Sequence, residues 1–298
     1  MNDFEYHSPT KLKEACALLK KYNGTAQVLA GGTDLIPKMH YRKLAPKHVI
    51  NIKRIPDLNK ITYDPSKGLT LGTLVNFNDL IYSEIVQTNY PILTEISRKI
   101  ATHQIRNLAT VGGNLCNAAP SADSVPILVA LDSTVTLTGP GGKKRILPLE
   151  QFFIGPGATA LKPGEILTHV NVPIIKSNSG MTYIKHTTRK ALDIAVVGVA
   201  ALIQLEPGQD KCMSSRIVIA SCAPTPLRIH KAEKILTGKK IADQAIAAAA
   251  QTASAAVEPI TDVRACDVYR REMVEVQCKR AIEDAISRVY SSTIDEEK

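Results

Sequence analysis

The chain interleaves short apolar runs with amphipathic segments, a pattern that predicts a mixture of strands and helices. An amphipathic helix is expected over residues 9–22, because Leu12 and Cys16 lie on one helical face. Residues 27–30 and 49–52 are apolar runs that predict two short buried strands. The beginning of the chain is therefore expected to form a helix, a strand, a glycine turn, a basic connection and a second strand.

Two further blocks of elements follow along the chain. The first block is predicted to begin with a hairpin at residues 60–63 and 69–71. Three helices follow, from about residue 77, at 91–101 and after 126, and then two strands at 134–137 and 145–147. The second block is predicted to contain three strands, at residues 181–186, 196–205 and 216–222, and then two helices, at 241–257 and 269–290. Strands followed by helices are typical of an α+β domain.

The expected fold class is α+β, with two domains. A length of 298 residues fits two domains of the usual size, about 100–200 residues each. A polar stretch at residues 176–180 predicts the junction between them. We expect a first domain at 1–175, divided into subdomains of about 1–55 and 56–175, a second domain at 176–290, and a frayed tail at 291–298.

Charge narrows the range of partners. The 37 Lys and Arg outnumber the 28 Asp and Glu, which gives a formal net charge of +9 and favours an anionic ligand or an acidic protein surface. Nucleic acid is not expected, because the basic residues are not interleaved with aromatic ones and match no groove-reading motif. Basic residues cluster at Lys38, Arg42, Lys43, Lys47, Lys53 and Arg54.

Cysteine spacing argues against metal chemistry in this chain. None of the six cysteines forms a CxxC pair, so neither iron–sulfur nor zinc ligation is expected, and no metal site is predicted. The chain begins without a basic leader or an apolar segment, and no stretch of ~20 apolar residues follows, so no membrane span is expected. A reducing, cytoplasmic location is the simplest expectation.

The first motif with chemical meaning is a glycine pair that follows a predicted strand. Glycines lack a Cβ and can take a positive φ, which allows successive backbone N–H groups to form a concavity suited to a pyrophosphate. A plain tight turn explains the same pair equally well. The motif comprises Val28, Leu29, Ala30, Gly31, Gly32, Thr33, Asp34 and Leu35.

A second glycine turn is predicted about eighty residues further along the chain. It comprises Thr110, Val111, Gly112, Gly113 and Asn114. A run of small residues that ends at Asp123 follows it, and such a run lets a planar ligand pack against backbone. A glycine-containing loop with capping polar residues is the alternative. Neither motif fits GxGxxG or GxxxxGK[ST], which excludes a Rossmann fingerprint and a P-loop.

The ordered set of motifs resembles the FAD-binding subunit of the xanthine dehydrogenase and CO dehydrogenase family of molybdenum hydroxylases. The resemblance spans nearly the whole chain. Besides the two glycine motifs it includes the run from Asn114 to Asp123, residues 164–167, 183–186 and 189–195, and the late motifs Asp262-Val263-Arg264 and Tyr269-Arg270.

The resemblance implies a fold and a set of cofactor contacts. The fold would be an FAD-binding domain of the vanillyl-alcohol-oxidase or para-cresol-methylhydroxylase type, followed by a CO dehydrogenase flavoprotein C-terminal-type domain of antiparallel sheet plus helices. Residues 28–35 and 110–114 would bind the pyrophosphate of a non-covalent FAD. Further contacts would come from Ile100 near the adenine, from Asp123, and from Leu167 and Lys185 at the domain junction.

Two of these positions carry finer hypotheses. A Lys185 ammonium beside the flavin would stabilise the anionic reduced ring and raise its potential, whereas an exposed structural lysine is the alternative. Ile194 occupies a position where CO dehydrogenase-type subunits carry a tyrosine against the flavin, which favours the xanthine dehydrogenase-like branch. No catalytic residue is expected beyond the flavin itself.

The resemblance also implies partners. These would be a small subunit with two [2Fe-2S] clusters and a large subunit with the molybdenum cofactor, assembled as a dimer of heterotrimers. Electrons would pass through FAD to NAD+ or another acceptor. The alternatives are a stand-alone flavin oxidoreductase and a non-catalytic nucleotide-binding scaffold.

Overall fold

A computed structural model describes residues 1–296, with side chains described up to Ser291. The first part of the chain forms a small three-stranded parallel sheet in the order β1-β3-β2. Helix α1 buries Ala15 and Cys16 against this sheet. The elements are β1 (Glu5–His7), α1 (Leu12–Lys21), β2 (Ala26–Leu29), α2 (Leu35–His40) and β3 (His48–Asn51).

The second part is a five-stranded antiparallel sheet with helices packed on it. The strand order is β4-β5-β10-β6-β7, so the late strand β10 lies at the centre. Its elements are β4 (Ile61–Asp64), β5 (Gly68–Gly72), α3 (Phe77–Tyr82), α4 (Glu84–Asn89), α5 (Pro91–Lys99), α6 (His103–Arg106), α7 (Val111–Asn117), α8 (Ser124–Ala130), β6 (Thr134–Thr138), β7 (Lys144–Pro148) and β10 (Ile166–Val172). Two 3₁₀ turns, Pro140–Gly142 and Leu149–Gln151, and a small hairpin of β8 (Phe153–Gly155) and β9 (Ala158–Thr159) complete this part.

The third part is a four-stranded antiparallel meander followed by helices. One face of its sheet packs on the five-stranded part through Met181, Tyr183 and Val218, and the opposite face packs on its own helices. The elements are β11 (Ser179–His186), β12 (Val197–Leu205), β13 (Cys212–Ala220), β14 (Leu227–Arg228), α9 (His230–Leu236), α10 (Asp243–Ala256) and α11 (Asp267–Glu296).

Most predicted elements are confirmed with shifts of a few residues at their ends. The predicted hairpin forms as β4 and β5, and Asn76 caps α3 by accepting a hydrogen bond from the Asp79 N–H at 2.9 Å. Helix α11 extends beyond the predicted end at residue 290, and residues 297–298 of the predicted tail lie outside the described part. The proposed boundaries at residues 55 and 175 stay predictions.

One prediction is wrong. The residues around Gly112-Gly113 form no turn but the first turn of α7, because the Thr110 side chain accepts the Gly113 N–H at 3.0 Å and so caps the helix. Glycine is normally disfavoured in helices. Here Gly112 has a packing reason to be small, since a Cβ on it would overlap Thr73.

Within residues 1–296, none of the helices combines the length and the apolar character that crossing a bilayer requires.

Candidate functional site

The two glycine segments line one cleft of about 770 Å³. The first segment leaves the carboxyl end of β2 and leads into α2, and the second forms the amino end of α7. Twelve of the predicted site residues line this cleft, and these are Val28, Ala30, Gly31, Gly32, Thr33, Asp34, Leu35, Thr110, Gly112, Gly113, Asn114 and Leu167. The two predicted segments, far apart in sequence, therefore lie together.

Direct packing joins the two segments. A Cβ built on Gly31 would overlap the Leu108 carbonyl oxygen and lie 3.1 Å from the Ala109 Cα. A Cβ built on Gly113 would lie 3.8 Å from the Ala30 Cβ. The absence of a side chain at Gly31 is thus required by the backbone just before the second segment, and not only by the approach of a ligand.

The first segment offers a row of free backbone donors. Within the described residues, the amide N–H groups of residues 31–35 donate to no other protein group. Gly32 has φ of +81°, the left-handed region that glycine tolerates without strain, and it turns the chain at this point. Successive unpaired amides in such a turn form a concavity that suits an anion. These residues fit the diphosphate of an FAD.

The second segment differs, because the protein itself uses its amides. The N–H of Val111 donates to Val75, that of Gly112 to Thr73, that of Gly113 to Thr110 Oγ1, and that of Asn114 to the Thr110 carbonyl. Their role in the cleft is consequently that of a close, rigid wall. The amides that remain unpaired belong to the first segment.

Cations flank the cleft. Lys38, Lys43 and Lys162 line it, and the Lys38 ammonium donates to Asn117 Oδ1 at 2.6 Å. Two acidic residues, Asp34 and Glu165, also line it, and Glu165 is compensated by Arg145 at 2.7 Å. The positive balance at the cleft favours a ligand that carries phosphate charge.

Asp123, Lys185 and Tyr183 form a buried polar cluster beside this cleft. The Lys185 ammonium lies 2.8 Å from Asp123 Oδ2, with side-chain exposures of 13% and 11%, and the Tyr183 hydroxyl donates to Asp123 Oδ1 at 3.0 Å. Burial raises the pKa of the Asp123 carboxyl above its usual value, although Lys185 opposes the rise. Burial, then the Asp123 charge, raises the pKa of Tyr183 well above its usual value, so its hydroxyl stays a donor.

The residue that follows Asp123 in the chain connects this cluster to the cleft. Ser124, the neighbour of Asp123, donates through Oγ to Asn114 Oδ1 at 2.8 Å, and Asn114 lines the cleft. Lys185 is largely shielded from solvent, and its role beside the flavin stays a prediction. Its charge is paired with Asp123, so any field that it exerts on a ligand is partly compensated.

The remaining predicted residues occupy separate places. Leu167 lies in β10, at the centre of the five-stranded sheet, and lines the cleft; its place at the domain junction stays a prediction. Val111 is 1% exposed, belongs to the core and is not among the residues that line the cleft. Ile100 ends α5 and packs on the same core, Leu29 ends β2, and Ile194 is 45% exposed on the loop before β12.

A second cleft of about 550 Å³ lies at the start of the third part of the chain. Lys99, Tyr183 and Lys185 line it, together with residues 189–193. The Lys185 ammonium also donates to the Lys99 carbonyl at 3.3 Å, which ties the end of α5 to β11. The two domains therefore meet at the Asp123–Lys185 pair.

Several lining residues escaped the sequence analysis. Lys38 was noted only as part of a basic cluster, and the helix α2 that carries it was not predicted. Its spacing from Asp34 would place both on one helical face, which is the signal that could have found it. Thr73 contacts Gly112 across a loop, and no local pattern identifies it.

Two motif residues have structural roles. Burial raises the pKa of the Cys116 thiol to about 12, so it stays protonated, in agreement with a packing role. Arg270 is 3% exposed and donates to Asp262 at 2.7 Å and to the Val196 carbonyl at 2.7 Å. The backbone N–H of Arg264, then Arg270, lowers the pKa of Asp262 to about 2. This pair ties the segment before α11 to the sheet.

Comparison with known proteins assigns this chain and its fold to a class, the FAD-binding oxidoreductase subunits. The family described as the FAD binding domain in molybdopterin dehydrogenase matches residues 2–175. The CO dehydrogenase flavoprotein C-terminal domain matches residues 182–285. The chain therefore belongs to the family of FAD-binding subunits of molybdenum hydroxylases, and its fold is α+β with these two domains in this order.

Individual relatives agree over nearly their whole length. The chain is 36% identical to the carbon monoxide dehydrogenase medium chain of Hydrogenophaga pseudoflava, covering 96% of this chain and 98% of the relative. It is 32% identical to a xanthine dehydrogenase FAD-binding subunit of Escherichia coli O157:H7, covering 96% and 98%. A solved structure of the H. pseudoflava enzyme that lacks the Mo-pyranopterin moiety matches with a TM-score of 0.92 at 36% identity, covering 96% and 98%.

These identities do not separate the carbon monoxide dehydrogenase branch from the xanthine dehydrogenase branch. The preference for the latter, which depends on Ile194, stays a prediction.

Proposed function

We propose that this FAD-binding subunit relays electrons within a larger cytoplasmic enzyme, from the [2Fe-2S] clusters of a small partner subunit to NAD+ or another soluble acceptor. A large partner subunit would hold the molybdenum cofactor and oxidise the substrate. The assembly would be a dimer of heterotrimers. The observation that carries the proposal is the cleft that residues 31–35, whose amides have no protein partner within the described residues, line together with the amino end of α7.

The residues of this chain would bind and orient the cofactor. The amides of residues 31–35 would donate to the diphosphate, and Lys38 and Lys43 would add charge attraction. Because Gly31 packs directly on Leu108, the two walls are held at a fixed spacing before the ligand arrives. Such preorganisation lowers the cost of binding.

The buried pair at the domain interface would set the environment of the reactive end. Asp123 keeps free lone pairs on both oxygens after accepting from Lys185 and Tyr183, so it can accept one more hydrogen bond from a ring N–H or a hydroxyl. Lys185 would act as a positioning residue for Asp123. Bound FAD would supply the redox chemistry, taking electrons from the partner and passing them to the acceptor.

Two preparations of the wild-type chain test this function. The chain purified alone should bind FAD at one molecule per chain and release it on denaturation, as expected for a non-covalent flavin. In the complex assembled with its partner subunits, the substrate of the large subunit should bleach the flavin absorbance. Supply of the acceptor should then restore the absorbance.

The contrary outcomes identify the alternatives. Flavin that a small-molecule substrate reduces in the isolated chain would favour a stand-alone oxidoreductase. A chain that binds no FAD in any preparation would favour the nucleotide-binding scaffold and would contradict the proposal.

A further inference from the structure

Two imidazoles and a carboxylate meet at the edge of the three-stranded sheet. Glu5 and His7 lie two positions apart in β1 and therefore share one face of that strand. In the parallel register Glu5 pairs with His48 of β3, which brings the second imidazole to the same place. Among the described residues, these three form a group whose potential ligand atoms all lie within 4.8 Å of one another.

The distances within the group match a metal-ion polyhedron. His7 Nε2 lies 3.2 Å from His48 Nδ1, and Glu5 Oε2 lies 3.4 Å from His48 Nδ1 and 3.7 Å from His7 Nε2. Around a tetrahedral Zn²⁺ with bonds of about 2.0–2.1 Å, ligand atoms are separated by about 3.3–3.4 Å. A zinc ion would thus fit the observed positions with little movement.

Packing holds the two imidazoles in place. Tyr22, at the end of α1, stacks on His48 with ring centroids 3.6 Å apart and on His7 with centroids 5.5 Å apart. The imidazole side chains are only 20% and 13% exposed, whereas that of Glu5 is 69% exposed. The ligands are therefore preordered on one side, and solvent can reach the other side to supply a water.

We propose that Glu5, His7 and His48 bind a divalent transition-metal ion of the Zn²⁺ class, which clamps β1 to β3. Two imidazole nitrogens, one carboxylate oxygen and an open position suit Zn²⁺, whereas Ca²⁺ and Mg²⁺ prefer oxygen ligands throughout. Spacing in the sequence did not single out these residues, because 41 positions separate the two histidines.

This site is distinct from the cofactor cleft. The three strands are parallel, so Glu5 and His48 lie at their amino ends, whereas the glycine segment leaves the carboxyl end of β2. Loss of the metal should consequently leave FAD binding intact. Failure of this inference would not bear on the proposed function.

Titration of the FAD-loaded full-length chain with Zn²⁺, and separately with Co²⁺, tests the inference. We expect one Zn²⁺ per chain, a Co²⁺ visible spectrum typical of four-coordinate geometry, and a higher midpoint temperature of unfolding with Zn²⁺. Glu5→Gln keeps the side-chain shape at an exposed position, so it should fold normally and weaken Zn²⁺ binding at least about tenfold. His7→Ala should weaken binding further.

A matched control uses another histidine that lies beside a carboxylate. His230 lies 2.8 Å from Glu150 on the surface, and it is not in the three-residue group. His230→Ala should bind Zn²⁺ as the wild type does, and all three variants should retain full FAD. Absence of stoichiometric Zn²⁺ binding in the wild type, or wild-type affinity in both Glu5→Gln and His7→Ala, would overturn the inference.

Discussion

Replacing Gly31 by alanine should weaken FAD binding by forcing the two walls of the cleft apart. Gly31 does not have a positive φ, so alanine adopts its backbone conformation without strain, and the added methyl is the whole perturbation. That methyl would lie 2.8 Å from the Leu108 carbonyl carbon. Since carbon atoms normally approach to about 3.5 Å, this contact alone requires a separation of roughly 0.7 Å, and the deeper overlap with the Leu108 carbonyl oxygen requires more.

The magnitude follows from the cost of such overpacking, typically about 1–3 kcal/mol. In the ligand-free chain the walls can relax apart, so the cost is met when the ligand requires their original spacing. Since each 1.4 kcal/mol is tenfold in affinity, the Kd for FAD should rise roughly 5- to 150-fold. The assay is titration of the flavin-free chain with FAD, followed by flavin fluorescence, alongside circular dichroism to verify folding.

Gly155→Ala is the matched control. A Cβ on Gly155 meets nothing within 4 Å, and its φ lies outside the left-handed region, so this variant adds the same methyl without contact. Its Kd should stay near that of the wild type. If a folded Gly31→Ala chain bound FAD with wild-type affinity, the reasoning from abutting walls would be refuted.

Three further predictions concern stability. Thr110→Val should lower the free energy of unfolding in urea by about 1 kcal/mol, because it removes the cap of α7. Thr110→Ser keeps a hydroxyl and should keep that stability, so equal stability of the valine and serine variants would contradict the cap. Asp123→Asn and Lys185→Met should each lower the free energy of unfolding by about 3–5 kcal/mol, because each leaves a buried charge uncompensated. The double variant should lose less than the sum of the two single losses, and strict additivity would exclude a coupled pair. The pKa of Asp262 in the folded chain, about 2, lies below the unperturbed 3.8, so the stabilisation that its carboxylate contributes is present above about pH 4 and is lost as pH falls toward 2. The difference in free energy of unfolding between the wild type and Asp262→Asn should therefore become smaller as pH falls over that range, and a difference that does not change with pH would contradict the lowered pKa.

Local signals in the sequence predicted much of the fold. The hairpin of β4 and β5 follows from apolar runs separated by a turn, and Asn76 marks the start of α3 because its side chain caps the helix. The second glycine pair predicts a turn, because glycine has a low helix propensity, whereas in the structure the pair lies in α7 and Gly112 packs on Thr73. Strand β1 contains no aliphatic residue, so no hydrophobic pattern predicts it.

Those parts of the candidate site that consist of neighbouring residues could be predicted from the sequence, and those that depend on contacts between distant residues could not. The glycine segments were recognisable, but helix α2 was missed because Pro37 reads as a helix breaker, although proline is tolerated in the first turn. The resemblance suggested Asp123 and Lys185, yet their pairing joins a loop of one domain to a strand of the other. Sequence could not anticipate that compensation of charge, because it depends on how the domains pack.

A crystal structure of the wild-type chain with bound FAD tests the central claim most directly. We predict that diphosphate oxygens lie within hydrogen-bond distance of the backbone nitrogens of residues 31–35, against the amino end of α7. A diphosphate bound elsewhere on the chain, with these amides turned to solvent, would contradict the account.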